Sequence, residues 1–145
     1  MSAGDRVAAD VRVLRVLKDK PFHVAPATRT PTPAAFEPSS ADLAHPPVRV
    51  SVWDERVTVR RAVELRGGGE LVTFCVAVAM VDHVAADLGN ERLRVVEDPE
   101  GAIGCAPDDA RWHHGIEGLE KAAWTDRARR LEALARIALA CASAV

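Results

Sequence analysis

The segment 112–118 holds more side chains that could do chemistry than any other part of the chain. Within seven residues it contains a tryptophan, two of the five histidines and a carboxylate. On a helix, His113 and Glu117 would lie one turn apart, as would His114 and Glu117, and either pair could coordinate a divalent ion or share a proton. Two glycines in the segment each disfavour a helix by about 1 kcal/mol, so we do not expect a regular helix here.

Gly115 and Gly118 also allow a different kind of site. Glycine lets backbone N–H groups approach a ligand closely, so an anion or a small polar ligand could lie against 115–118, with Trp112 and a histidine beside it. The simpler interpretation, which we favour, is that the histidines are solvated and the glycines turn the chain. Neither HExxH nor a Cys/His zinc spacing is present. We therefore predict no cofactor and no metal. If a metal ion were bound, its candidate ligands would be His113, His114 and Glu117.

Cys105 is a candidate nucleophile because, of the three cysteines, it alone falls in a predicted loop. A reactive cysteine needs a nearby histidine or a helix N-terminus to lower its pKa, and His113 and His114 follow eight and nine residues later. An inert residue in a turn is the simpler interpretation. Cys75 and Cys141 fall on apolar faces and are predicted to lie in the core.

Three other residues are candidates for a functional role. His83 follows an apolar run at the end of a predicted strand, where side chains often face a cleft. Asp109 lies just before Trp112 and could assist a catalytic group. Trp53 alternates with valines and could lie on the outer face of its strand, where an exposed tryptophan would mark a contact surface. If a helix covers that face, the same residue belongs to the core.

Two hypotheses for function follow. The first is a small non-enzymatic binding, adaptor or regulatory protein that has a protein partner or forms a homodimer. It rests on the single-domain size, the absence of a strong catalytic motif, the long proline-rich segment and the possible outward position of Trp53. The second is a small metal-dependent hydrolase or other enzyme. Its site would be built around His113, His114 and Glu117, with Asp109 or Cys105 assisting. Whether the protein is an enzyme stays open.

Composition limits the class of protein. The chain has 145 residues and a net charge of −2, and 48% of its residues are hydrophobic, which is typical of one folded domain, predicted here to span 1–145. Nucleic-acid binding is not expected, since it usually requires a basic balance. The longest apolar run, at 71–81, is shorter than the ~20 residues that cross a bilayer. An odd number of scattered cysteines and the absence of a signal peptide predict a cytoplasmic protein.

Seven of the nine prolines lie in residues 21–47. Because each proline removes a backbone donor and restricts the residue before it, no regular element longer than a turn is expected there. The segment would either wrap the core or act as a flexible linker.

Periodicity predicts the remaining elements. Strands are expected at 11–17, 48–53, 71–81 and 92–96, with a turn at 85–88, loop at 99–107 and irregular chain to 118. Residues 11–17 could instead end a helix that begins near Asp5, and 71–81 could instead be a buried helix, but a strand is favoured for both. Thr58 is expected to cap a helix that runs to Arg66. A last helix, capped by Thr125 and Asp126, is expected to run to about 142, with Arg130 on its outer side. Together they predict an α+β fold, in which a C-terminal helix and a shorter helix pack on a small, mostly antiparallel sheet of about four strands.

Overall fold

The structure is a computed structural model that describes residues 4–120 and 124–141. Within these ranges it has six strands: β1 (Arg12–Lys18), β2 (Arg49–Asp54), β3 (Leu71–Ala77), β4 (Arg94–Glu97), β5 (His113–Glu117) and β6 (Leu139–Ala140). It also has five helices: α1 (Ser40–Ala44), α2 (Val59–Arg66), α3 (Val78–Asp87), α4 (Pro107–Ala110) and α5 (Trp124–Ile137). The strands form one antiparallel sheet in the order β4-β5-β2-β1-β3-β6. This confirms the α+β class, with six strands instead of about four.

Alternation along the strands gives the sheet two faces with different covers. The first face carries the main core and packs against α3, α5 and part of the proline-rich segment; its strand residues include Val13, Val50, Phe74 and Ile116. The second face is covered by α2 over one half, above a smaller cluster formed by Leu14, Val16, Trp53 and Cys75. The other half of this second face, over β2 and β5, carries polar side chains.

The pairing between β1 and β2 is short. Only Val13 with Asp54 and Leu14 with Trp53 are in register. Beyond Leu14, the guanidinium of Arg15 donates hydrogen bonds of 2.9 Å to the backbone carbonyls of Ser51 and Ala35. One side chain thus replaces part of the missing backbone ladder at the centre of the sheet.

Helix α2 forms where the sequence predicts it. Thr58 precedes the helix, and its hydroxyl accepts a hydrogen bond from the backbone N–H of Arg61. Gly67 follows the helix with a φ of +59°, which an L-residue rarely adopts. Both signals are local in the sequence, which explains why this helix was predictable.

The long apolar run at 71–81 is not a single strand, contrary to the prediction. β3 ends at Ala77 and α3 begins at Val78, so the turn predicted at 85–88 overlaps the end of this helix. The run is apolar throughout because a central strand and the buried side of a helix need the same residue types. No side chain caps the start of α3, so the sequence carries no capping signal at the boundary.

The proline-rich segment wraps the core and contains more structure than predicted. A 3₁₀ turn at Pro33–Phe36 places a fully buried phenylalanine in the main core. Helix α1 follows and begins with a capping box. The backbone N–H of Asp42 donates to the hydroxyl of Ser39, and the backbone N–H of Ser39 donates to the carboxylate of Asp42. This five-residue helix corrects the prediction that nothing longer than a turn would form there.

The C-terminal helix differs from its prediction in length and in one buried residue. It ends at Ile137, and the chain then forms the two-residue strand β6 against β3. Thr125 and Asp126 lie within the helix and not before it. Arg130 is only 1% exposed, although the prediction placed it outside, and it donates a hydrogen bond to the carbonyl of Gly118. None of the described helices is long and apolar enough to cross a membrane.

Candidate active site

The segment predicted to be irregular is strand β5, an inner strand of the sheet between β2 and β4. Its glycines are needed because neighbouring groups approach closely. A Cβ on Gly115 would meet the Cβ of Arg49 at 2.7 Å, and a Cβ on Gly118, where φ is +90°, would meet the carbonyl oxygen of Arg92 at 2.4 Å. Protein atoms therefore occupy the space beside Gly115 and Gly118 that the alternative interpretation left for a ligand.

The strand conformation decides which site residues can act together. Successive side chains of a strand point to opposite faces, so His113 and Glu117 share one face of β5 while His114 lies on the other. The helical spacing that suggested a shared ion or proton is therefore absent. No group of three His, Cys, Asp or Glu side chains in the described ranges is arranged to hold a metal ion.

His113 is held between two oxygen atoms. Its Nδ1 lies 2.7 Å from the backbone carbonyl of Asp98, and its Nε2 lies 2.7 Å from the hydroxyl oxygen of Ser51. Because a carbonyl only accepts, Nδ1 carries the proton, which leaves the lone pair of Nε2 facing the hydroxyl. Burial lowers the pKa of His113, and the carbonyl and carboxylate of Asp98 offset this only in part. The imidazole is thus neutral at pH 7 and accepts a hydrogen bond from Ser51.

Ser51 is exposed, whereas His113 is only 3% exposed. The imidazole also meets Trp53 edge to face, with 4.8 Å between the ring centroids. Trp53 itself is 7% exposed and belongs to the cluster beneath α2. It is therefore a core residue and does not mark an exposed contact surface. The result is a solvent-facing hydroxyl hydrogen-bonded to a sheltered base, an arrangement suited to nucleophilic catalysis.

A network of charges supports this pair from one side. The Oδ2 of Asp98 lies 3.5 Å from Nδ1 of His113, and its Oδ1 lies 3.0 Å from Nη1 of Arg49. Arg49 also donates to Glu117 at 2.9 Å, and Arg94 donates to the other oxygen of Glu117 at 2.8 Å. Burial would raise the pKa of Glu117, but the two arginines outweigh it and lower the pKa. Both oxygens of Glu117 are thus engaged, and this residue holds Arg49 in place.

The 3₁₀ turn at Pro99–Gly101 closes against the same residues. A Cβ on Gly101 would lie 2.1 Å from Oδ2 of Asp98 and 2.9 Å from Cε1 of His113. Only glycine lets the turn pack this closely on the imidazole, which helps to hold the ring in one orientation.

His114 belongs to a separate buried pair on the opposite face. Its Nε2 lies 3.2 Å from Oδ2 of Asp54, which is fully buried. Asp54 also accepts two hydrogen bonds from the Arg56 guanidinium, at 2.9 and 2.7 Å, and one from the Arg56 backbone. Burial opposes ionisation of Asp54, but the hydrogen bonds from Arg56 and His114 together lower its pKa. His114 therefore stabilises the fold and does not join the Ser51–His113 pair.

The other predicted candidates lie apart from this pair. Trp112 lies beneath the guanidinium groups of Arg56 and Arg111, at 4.5 and 4.6 Å. Asp109 forms a two-point ion pair with Arg61, the shorter contact being 2.7 Å. His83 is exposed within α3 and not at a strand end.

The three cysteines are all unpaired. Cys75 is buried, as predicted for a core residue, and Cys141 is half-buried beside the same cluster. Cys105 lies in a loop, as predicted, and packs half-buried against that cluster.

Sequence reasoning missed Ser51 and Asp98, the partners of His113, and Arg49, which holds the carboxylate of Asp98. The strict alternation in β2 placed Ser51 on the same face as Trp53, but the register of β2 against β5 was needed to bring it to the histidine. Comparisons of the chain with protein-family models, curated proteins and solved structures find no match. The case for function therefore rests on the geometry of the site.

Proposed function

We propose that the protein is a small acyl-transfer enzyme or hydrolase in which Ser51 is the nucleophile and His113 the general base. The observation that carries this proposal is the 2.7 Å contact between Oγ of Ser51 and Nε2 of His113, with the opposite ring nitrogen fixed on Asp98. A serine hydroxyl is a weak nucleophile unless an adjacent base removes its proton, and a neutral histidine in this tautomer is such a base.

The reaction would proceed in two stages. Oγ of Ser51 attacks the carbonyl carbon of an ester while its proton passes to Nε2 of His113, and the carbonyl π electrons move to oxygen. The tetrahedral intermediate then expels the alcohol, which takes the proton from His113 and leaves an acyl group on Ser51. Water repeats the sequence against the acyl-serine and releases a carboxylic acid. Asp98 orients the imidazole, and Arg49 holds the carboxylate of Asp98.

The same geometry favours this enzyme hypothesis over the others raised by the sequence. The adaptor hypothesis drew on an exposed Trp53, which is buried. The metal hypothesis relied on the helical spacing of either histidine with Glu117, and this segment is the strand β5, in which His114 and Glu117 lie on opposite faces. Ser51 and His113 need neither an interface nor an ion.

Covalent labelling tests the proposal directly. An alkyl fluorophosphonate reacts with an activated serine, displacing fluoride and forming a stable phosphonyl ester on Oγ. We expect a single adduct in the intact mass of the full chain, mapped to Ser51 by peptide sequencing.

The matched control is Ser40, an exposed serine in the proline-rich segment. It should stay unmodified under conditions that label Ser51 completely. Equal labelling of the two serines, or no labelling of Ser51 at reagent concentrations in the millimolar range, would contradict the proposal.

The pH dependence of acylation provides an independent prediction. Burial lowers the pKa of His113 below its ordinary value of 6.5. Since the neutral imidazole is the active base, the initial burst of nitrophenolate from p-nitrophenyl acetate should rise with pH through a midpoint below 6.5 and then level off. Stopped-flow absorbance measures the burst. A rate that keeps rising in proportion to hydroxide through pH 8 would show that His113 is not the base.

A further inference from the structure

β1 and the proline-rich segment enclose a cleft of about 480 Å³, close to the place where β1 and β2 part. We call it the basic cleft. Its lining includes four cationic side chains and two rings: Arg15, Lys18, Lys20, Arg66, Phe22 and His23. A volume of this size is in the range of sites that bind small organic molecules.

The acids near the basic cleft, Glu37 in its lining and Asp42 near Arg15, offset its charge only in part. In the described part of the chain, no carboxylate lies within 4.0 Å of the charged nitrogens of Arg15, Lys18, Lys20 or Arg66. Glu37 lines the cleft, but its carboxylate is paired with Arg127. Four cations that form no ion pair within the described ranges surround one concave surface and attract an anion, even though the chain as a whole has a net charge of −2.

Arg15 is the fixed member of this group. Its Nε and Nη1 are bound to the carbonyls of Ala35 and Ser51, so the guanidinium is held in place before a ligand arrives. Burial lowers the pKa of Arg15 to about 10; the nearby Asp42 opposes this shift, and Arg66 adds to it. Arg15 is therefore charged at neutral pH. Asp42 already accepts a hydrogen bond from the backbone of Ser39 as part of the α1 cap.

An exposed aromatic ring lies beside these cations. Phe22 is 62% exposed, and its ring packs on that of His23 with 4.0 Å between centroids. A large apolar side chain left in water next to a cluster of cations offers a stacking surface for a planar group carried by an anion.

We infer that the basic cleft binds a small phosphate monoester that carries an aromatic ring, with the phosphate against Arg15, Lys20 and Arg66 and the ring on Phe22. A phosphate dianion matches a cluster of several cations better than a single carboxylate does. Arg15 also binds the backbone carbonyl of Ser51, but the test of this inference measures binding alone and does not require any catalytic activity.

Isothermal titration of the full chain with three probes tests this inference. AMP carries both an aromatic ring and a phosphate, adenosine only the ring, and inorganic phosphate only the anion. We expect AMP to bind at least about tenfold more tightly than either of the others, and its affinity to fall as salt is raised, because exposed charges are screened. AMP binding no tighter than adenosine, or no heat up to 10-fold molar excess at millimolar protein, would overturn the inference.

Variants locate the site. Arg66→Gln and Lys20→Gln should each weaken AMP binding about five- to tenfold, and Phe22→Ala should weaken AMP but not inorganic phosphate. All three residues are exposed, so their melting temperatures should match that of the parent protein. The matched control is Arg60→Gln, which removes an exposed arginine from the same helix α2 without lining the basic cleft. A loss with Arg60→Gln as large as with Arg66→Gln would show non-specific attraction and exclude a defined site.

Discussion

Ser51→Ala is expected to abolish fluorophosphonate labelling and to reduce ester turnover to the rate in buffer. The change removes the only atom proposed to attack the substrate. Because Ser51 is exposed, water can replace its hydroxyl against His113, and the free energy of unfolding should change by no more than about 0.5 kcal/mol. Ser40→Ala is the matched control and should retain full activity. Activity that persists in Ser51→Ala would assign the reaction to another group.

The same experiment extends to the base. His113→Gln should slow acylation of Ser51 by about 10²- to 10⁴-fold, the range that a positioned general base contributes. His83→Gln changes an exposed histidine on α3 and should leave the rate unchanged. Since His113 is buried, the folded state of the variant is checked by near-ultraviolet circular dichroism. A folded His113→Gln protein that acylates at the parent rate would contradict the role of His113.

Asp54→Asn is expected to cause the largest loss of stability, about 3 kcal/mol in the free energy of unfolding. The carboxylate of Asp54 is fully buried and accepts hydrogen bonds from Arg56 and His114, so the neutral amide leaves its partners poorly satisfied inside the protein. Urea unfolding, followed by circular dichroism, measures the difference. The substitution lies on the opposite face of the sheet from Ser51.

The dependence on pH separates this effect from a simple packing defect. The pKa of Asp54 is lowered in the folded state relative to its ordinary 3.8, so its charge stabilises the fold fully above about pH 4. That contribution is lost as the pH falls through the lowered pKa, and parent and variant should then converge. Asp109→Asn is the control, since Asp109 forms a similar two-point ion pair with Arg61 at the surface, where such pairs contribute little. Equal losses in the two variants would rule out burial as the cause.

Local signals explain which parts of the fold could be predicted from the sequence. Strict alternation identified β2, and a threonine before an amphipathic stretch with a glycine after it identified α2. The start of α3 had no such signal. Val78, Val81 and Val84 do recur at helical spacing, but the apolar strand that precedes them obscures this period.

Elements that depend on distant contacts could not be predicted. Gly115 favours a loop by its own propensity, yet it lies in an inner strand because the side chain of Arg49 occupies the space above it. Arg130 is charged, which is typical of an exposed helix position, yet it is buried because the carbonyl of Gly118 accepts its hydrogen bond. Tertiary contacts override local preference at both positions.

In the candidate site, too, one residue could be found from local sequence and its partners could not. The density of histidines drew attention to His113, and that residue lies in the proposed site. Its partners Ser51 and Asp98 are unremarkable in the sequence, because only the pairing of three strands makes them neighbours of His113.

Most neighbouring strands in this sheet are far apart along the chain, and this governs how the protein folds. β2 pairs with β5 and β1 with β3, while the consecutive strands β1 and β2 are separated by the whole proline-rich segment. Such a chain must close long loops before the contacts compensate for the lost entropy, so folding is slow for a protein of this size. Ser51 and His113 meet only through one of these distant pairings. A fragment that lacks β2 or β5 therefore cannot assemble the site.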